Sequence, residues 1–298
     1  MRSWVALVKR EFLEHRGAFL YAPAIITLVV TTVLAIAILM NQPEFAAEAG
    51  EMPGSVLFYE VTFMATFLLW AMYMLIALFF YFSDAFHSDR RNNSMLFWKS
   101  MPKSDLEILG SKVLSGYTIF PLAIGFWVMV TGVIAYVFAQ VIDMVVVFYT
   151  APSIMQFINS YIQVLLVGSF YALIALLWYA PIFGWAAFLG TLFKRWSIPL
   201  FFVIPALAVL LERVINIRDL AYESQILRFI QFRLEMVGED DVSFDPEVWI
   251  MSNTKIDAWG MISYGFTQID WLHMVIGWAI LGGFIYLASE YRRRLIEA

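Results

Sequence analysis

Six stretches of apolar residues, at 19–40, 56–82, 116–141, 162–188, 198–211 and 271–288, constrain this chain more than any other feature. A hydrocarbon core about 30 Å thick is crossed by roughly 20 helical residues rising 1.5 Å each, and five of the six runs suit that crossing. Lipid offers no hydrogen-bond partner, so the backbone of each run must satisfy itself as a helix. The fifth run holds about 14 residues and carries Pro199 and Pro205. It predicts either a kinked span that extends into its flanks or a re-entrant segment.

Composition points the same way. Of 298 residues, 62% are hydrophobic and 14% charged, whereas an ordinary soluble domain carries about 25% charged residues. Mean hydropathy is +0.76. Many of the 11 Trp and 14 Tyr sit beside the ends of the apolar runs, where amphipathic rings prefer the headgroup layer. The absence of Cys excludes disulfides, thiolate metal sites and cysteine nucleophiles. No small-residue cleavage site follows the first run, so 19–40 is read as a retained span. The expected fold class is therefore an all-α integral membrane protein, with 1–298 forming a single transmembrane domain of six helices.

Basic residues give the orientation, because short loops rich in Lys and Arg stay in the cytoplasm. With both termini inside, the inner segments hold Arg2, Lys9, Arg10 and Arg16, then Arg90, Arg91, Lys99, Lys103 and Lys112, then Lys194 and Arg195, and finally Arg292, Arg293 and Arg294. That is 14 of the 19 basic residues, while the outer loops at 41–55 and 142–161 hold none. The outer side is acidic at Glu44, Glu48, Glu51 and Asp143 and again at Glu239, Asp240, Asp241, Asp245 and Glu247, which accounts for the net charge of -5. The expected location is the inner (plasma) membrane, with 212–270 extracytoplasmic.

Residues 1–18 predict an amphipathic helix lying on the inner leaflet, since Trp4, Val8 and Phe12 recur at i+4 while Lys9, Arg10, Glu14 and Arg16 take other faces. The alternative is an extension of the first span. In the outer segment Leu220, Leu227, Ile230, Leu234 and Val237 recur at helical spacing and suggest a second interfacial helix, interrupted by Glu223.

Catalytic signatures are lacking. No GxxxxGK[ST] phosphate loop occurs, so ATP hydrolysis by that route is not expected of this chain. His15 and His87 fall in inner segments and His273 opens the last span, without an HExxH pairing, and each is read as a single satisfied or solvated histidine. Glu60, near the outer end of the second span, is read as an interfacial carboxylate reaching water rather than as the wall of an aqueous pathway. A membrane enzyme using Asp240, Asp241 and Asp245 and a regulatory membrane subunit are the competing readings.

The inner segment 83–115 reads SDAFHSDRRNNSMLFWKSMPKSDLEILGSKVLSG. Pro102 starts a turn, Ser104 is placed to cap a helix, and Glu107 stands three residues on, the spacing of a capping box. A short capped helix would then feed directly into the third span and act as a lever between a cytoplasmic motor and the membrane; the alternative is a solvated, positive-inside loop that only sets topology.

These residues resemble the ABC-2 type permeases of ATP-binding-cassette exporters, in which the segment after the second span commonly reads P-x-S-x-x-E-I-L-x-x-K-L-L. Here Pro102, Ser104, Glu107, Ile108, Leu109, Lys112, Val113 and Leu114 fall in that pattern, preceded by Asp89, Arg90, Arg91, Asn92 and Ser94. The stretch Leu7 to Arg16 is similar to the family's connector helix. The resemblance covers the architecture of the whole chain and about 30 residues of motif. It implies an export permease but no particular substrate; spans rich in Phe, Trp and Met are what suggest a hydrophobic or amphipathic cargo such as a lipid, peptide or drug. A second permease copy or paralogue and two ABC ATPase subunits would complete it, with membrane lipid around it and no nucleic acid. This chain would bind no cofactor, ATP and Mg being held by the partner ATPase. Coupling would fall to Arg90, Arg91, Phe97, Lys99, Pro102, Lys103, Ser104, Asp105, Glu107 and Lys112, and the connector contacts to Trp4, Val8 and Phe12.

Overall fold

The computed structural model describes residues 2–40, 55–91, 104–145, 149–193, 196–216, 223–234 and 256–297. The side chains of 2–6, 55, 87–91, 145 and 295–297 lie outside that description. Among the described residues all regular structure is helical: α1 (Arg2–Arg16), a π-helical turn (Gly17–Tyr21), α2 (Ala22–Met40), α3 (Ser55–Arg91), α4 (Asp105–Tyr117), α5 (Ile119–Val145), α6 (Ile154–Trp178), α7 (Ala180–Phe193), α8 (Ser197–Ile215), α9 (Gln225–Leu234), α10 (Ala258–Gln268) and α11 (Trp271–Glu297). Six helical segments are long and apolar enough to cross a membrane: Leu7–Met40, Val56–Phe86, Asp105–Met144, Ile154–Trp178, Ser197–Ile215 and Trp271–Arg294. The chain is thus built as a multi-pass membrane protein, and side chains such as Leu28, Leu69, Leu122 and Leu210 stand exposed on its flanks, where a soluble protein would not tolerate them.

The fourth run differs from the expected uninterrupted span at 162–188. It is two helices, α6 and α7, separated at Tyr179. The reason is Pro181, which has no N–H to offer the Leu177 carbonyl and disfavours helical geometry at the residue before it. The fold satisfies the freed acceptor from elsewhere, since Trp278 Nε1 donates to the Leu177 carbonyl at 3.2 Å. The fifth run is a 19-residue helix, α8, long and apolar enough to cross a membrane. Pro199 falls in its first turn, where an N–H has no intrahelical partner anyway, and only Pro205 lies inside.

Packing centres on α7, which lies against α3, α8 and α11. Its buried residues include Gly184, Ala186, Ala187 and Gly190, small enough to let backbones approach closely. At Gly190 the approach is to the Ser83 carbonyl of α3, in the space a Cβ would occupy. Elsewhere rings fill the gaps: Phe63 and Phe67 sit over Gly132 and Gly168, and Phe82 over Gly116.

Candidate coupling site

Two opposite ends of the bundle can be told apart by what meets there. Ile38 near the end of α2, Ile142 near the end of α5 and Tyr149 cluster with Phe58 near the start of α3. At the other end α1, α4, the later part of α3 and the last turns of α11 come together, and this is where most sequence-predicted coupling residues with described side chains lie.

α4 begins with the expected cap. Ser104 Oγ accepts from the Glu107 backbone N–H at 3.2 Å and Glu107 Oε2 accepts from the Ser104 N–H at 3.2 Å, so two orphan donors are satisfied reciprocally. Asp105 and Glu107 in the first turn suit the positive end of the helix. The helix ends at Tyr117, and after Thr118 alone the chain resumes as α5.

Lys112 departs from the picture of a residue offered to a partner. It is 1% exposed and its Nζ lies 2.8 Å from Glu11 Oε1 of α1, itself 3% exposed. Tyr81 of α3 stands within reach of both, its Oη 3.2 Å from Glu11 Oε2 and 3.0 Å from the Lys112 carbonyl oxygen. His15 meets the Tyr81 ring edge-on at 4.8 Å. A charge pair removed from water is stable only when its remaining hydrogen-bonding capacity is met, and here Tyr81 and the backbone contribute to that. Three chain segments are joined by one buried polar cluster.

A second tie runs to the C-terminal helix: Arg292, 1% exposed, places Nε 3.6 Å from Asp105 Oδ1. Of the amphipathic face proposed for the N-terminus, Phe12 packs against the core and Val8 is half-buried, while Lys9 and Glu14 point outward. Neither Glu11 nor Arg292 was among the expected coupling or connector residues. Trp4, Arg90 and Arg91 lie in helices whose side chains there are outside the description, and Phe97, Lys99, Pro102 and Lys103 lie outside the described residues.

Two further polar positions are buried, and at Glu60 this departs from expectation. Glu60 does not reach water: it is 2% exposed, with Ser160 Oγ donating to its Oε1 at 2.5 Å across α3 and α6. Arg233 of α9 is also buried, its guanidinium 4.7 Å from the Trp178 ring and donating to the carbonyls of Trp178 and His273. It thereby supplies positive charge at the C-terminal end of α6, where the helix dipole is negative. Burial pushes this guanidinium below its ordinary value, with Asp270 opposing. His273 is paired, its Nδ1 2.6 Å from Asp270 Oδ2. The acidic outer residues 239–247 lie outside the described residues.

Glu11, Glu14 and His15 are near enough together to ligate a metal ion. Glu11 is already held by Lys112 and Glu14 by Arg10 at 2.7 Å, so the carboxylates are committed to cations the chain itself supplies. Comparison with models of protein families, with curated proteins and with solved structures gives no match.

Proposed function

We propose that the chain is the permease subunit of an ATP-driven exporter, with α4 as the element on which a separate ATPase acts. The observation that carries this reading is the buried Glu11–Lys112 pair. It locks α4 to α1, which runs into the first span through the π-helical turn, while α4 itself runs into the third span. A displacement of α4 would then move two spans together rather than bend a loop. The exposed capped start of α4 is the point of application, and ATP and Mg belong to the partner. Packed elements have discrete alternative arrangements, so a push at one end can shift the bundle between inward- and outward-facing states.

The test is purification of the tagged chain from its native membrane in mild detergent, with identification and ATPase assay of what accompanies it. A stoichiometric ATP-binding subunit that is lost on charge reversal at Lys103 and Glu107 supports the reading. A chain that purifies alone and without ATPase activity overturns it and returns the question to an enzyme or a regulatory subunit.

A further inference from the structure

A cavity of about 400 Å³ lies between α2, α3 and α5. It follows α2 from Ile26 to Ile38, twelve residues or about 18 Å at 1.5 Å per residue. Spread over that length, the volume is a slot that a hydrocarbon chain fills and that a helix about 10–12 Å across does not enter. The slot opens sideways, because α2 packs on α5 rather than on α3. Its rim residues Ile26, Val30, Leu34 and Leu69 are exposed on the apolar flank of the bundle.

The wall contains several hydroxyl groups, yet almost none is offered to an occupant. Thr31, Thr62, Thr66 and Thr131 each donate to the carbonyl four residues earlier on their own helix, at 2.6 to 2.9 Å. Trp70 Nε1 donates to Thr131 Oγ1, and the Tyr59 and Tyr73 hydroxyls donate to the Gly132 and Ala18 carbonyls. Thr27 Oγ1, buried and without a partner among the described residues, is the exception. Methyls, methylenes and rings are left to form the lining. Water enters a cavity that offers it two to four polar partners, and a space without them stays dry or takes an apolar occupant.

We infer that this slot binds the acyl chain of a bilayer lipid, which enters laterally between α2 and α3. The site belongs to this chain alone and goes beyond the permease reading, so it stands or falls without any ATPase.

The experiment uses the full chain in nanodiscs of phosphatidylcholine doped with a phosphatidylcholine carrying a diazirine on one acyl chain, followed by photolysis and mapping of labelled residues. Trp70 and Ile142 line the slot but are only 5% exposed, whereas Leu122 is 73% exposed and reports ordinary contact with lipid. Occupancy places label on Trp70 and Ile142 as well as on Leu122. Filling the slot with Ala135→Phe, or narrowing its mouth with Val30→Trp at a half-exposed position, lowers label at the two inner residues about tenfold and leaves Leu122 unchanged. Thr27→Val leaves all three unchanged, because the hydroxyl takes no part. Label confined to Leu122, inner label indifferent to both blocking variants, or a cross-link showing a second copy of the chain seated on the rim overturns the inference.

Discussion

At the scale of single residues, the Glu11–Lys112 pair makes the sharpest demand on the fold. Removing one partner leaves the other's buried charge without its counter-ion, which typically costs about 3–5 kcal/mol, whereas replacing both by apolar residues of similar size is often nearly neutral. Lys112→Met is therefore expected to lower the unfolding temperature in a fixed detergent far more than Glu11→Leu/Lys112→Met does. Additive losses in that double-mutant cycle would show that the two side chains do not interact. Asp270 gives a smaller, pH-dependent effect. The backbone N–H of His273 holds the Asp270 carboxyl below its ordinary value; burial opposes this and the His273 side chain reinforces it. A depressed carboxyl stabilises the fold above its unfolded pKa of about 3.9 and loses that contribution as pH falls through the lower folded value. The group is half in water, so screening keeps the effect to roughly 0.5 kcal/mol or less. Asp270→Asn should remove that acid-side slope from a melting-temperature series between about pH 5 and pH 3. Neither inward-turned charge was legible beforehand, because Glu11 lies 101 residues from Lys112 and Glu60 lies 100 from Ser160. The capping box was legible because Ser104 and Glu107 are three residues apart and the interaction is local.

Elements are held together here by closeness of backbone as much as by side chains. At Gly190 a Cβ would meet the Ser83 carbonyl, and a backbone atom cannot swing aside as a side-chain tip can. Gly190→Ala must separate α7 from α3, at a cost of about 1–3 kcal/mol typical of overpacking. Gly282 of α11 has nothing within 4 Å of its missing Cβ, so Gly282→Ala meets no clash and gains up to about 1 kcal/mol of helix propensity. Opposite shifts of the two melting temperatures are the expected outcome. Equal shifts would mean that α3 and α7 do not approach as described. Helix limits were legible to the extent that apolar length dictates them. The break at Tyr179 had a signal in Pro181, but hydropathy alone runs smoothly across it and conceals the change of element. The length of α8 escaped a count of apolar residues because it continues through Glu212 and Arg213. Glu212 is occupied there, accepting from the backbone N–H groups of Gln225 and Ile226 at the start of α9, so the charge serves as a cap for the next helix.

For the molecule as a whole, the strongest constraint is that two independent ties gather α1, α4 and the end of α11 at one end. An even number of crossings requires this arrangement, and the basic residues predict that this end faces the cytoplasm. The side is open to direct measurement because the chain has no cysteine, so single-cysteine variants need no altered background. Glu14 and Arg294 are exposed at the end where the ties lie, whereas Asp143 and Met155 are exposed near the opposite ends of α5 and α6. In intact cells, a membrane-impermeant maleimide should label Asp143→Cys and Met155→Cys and leave Glu14→Cys and Arg294→Cys unreacted until the membrane is permeabilised. Arg228→Cys, exposed on α9, should behave like the outer pair, which places the segment after α8 outside. The reverse pattern would put α4 on the far side of the membrane from ATP and remove the premise of the permease reading. A pattern in which Glu14 and Arg294 disagree would require an odd number of crossings, and the contact between Asp105 and Arg292 could then not form.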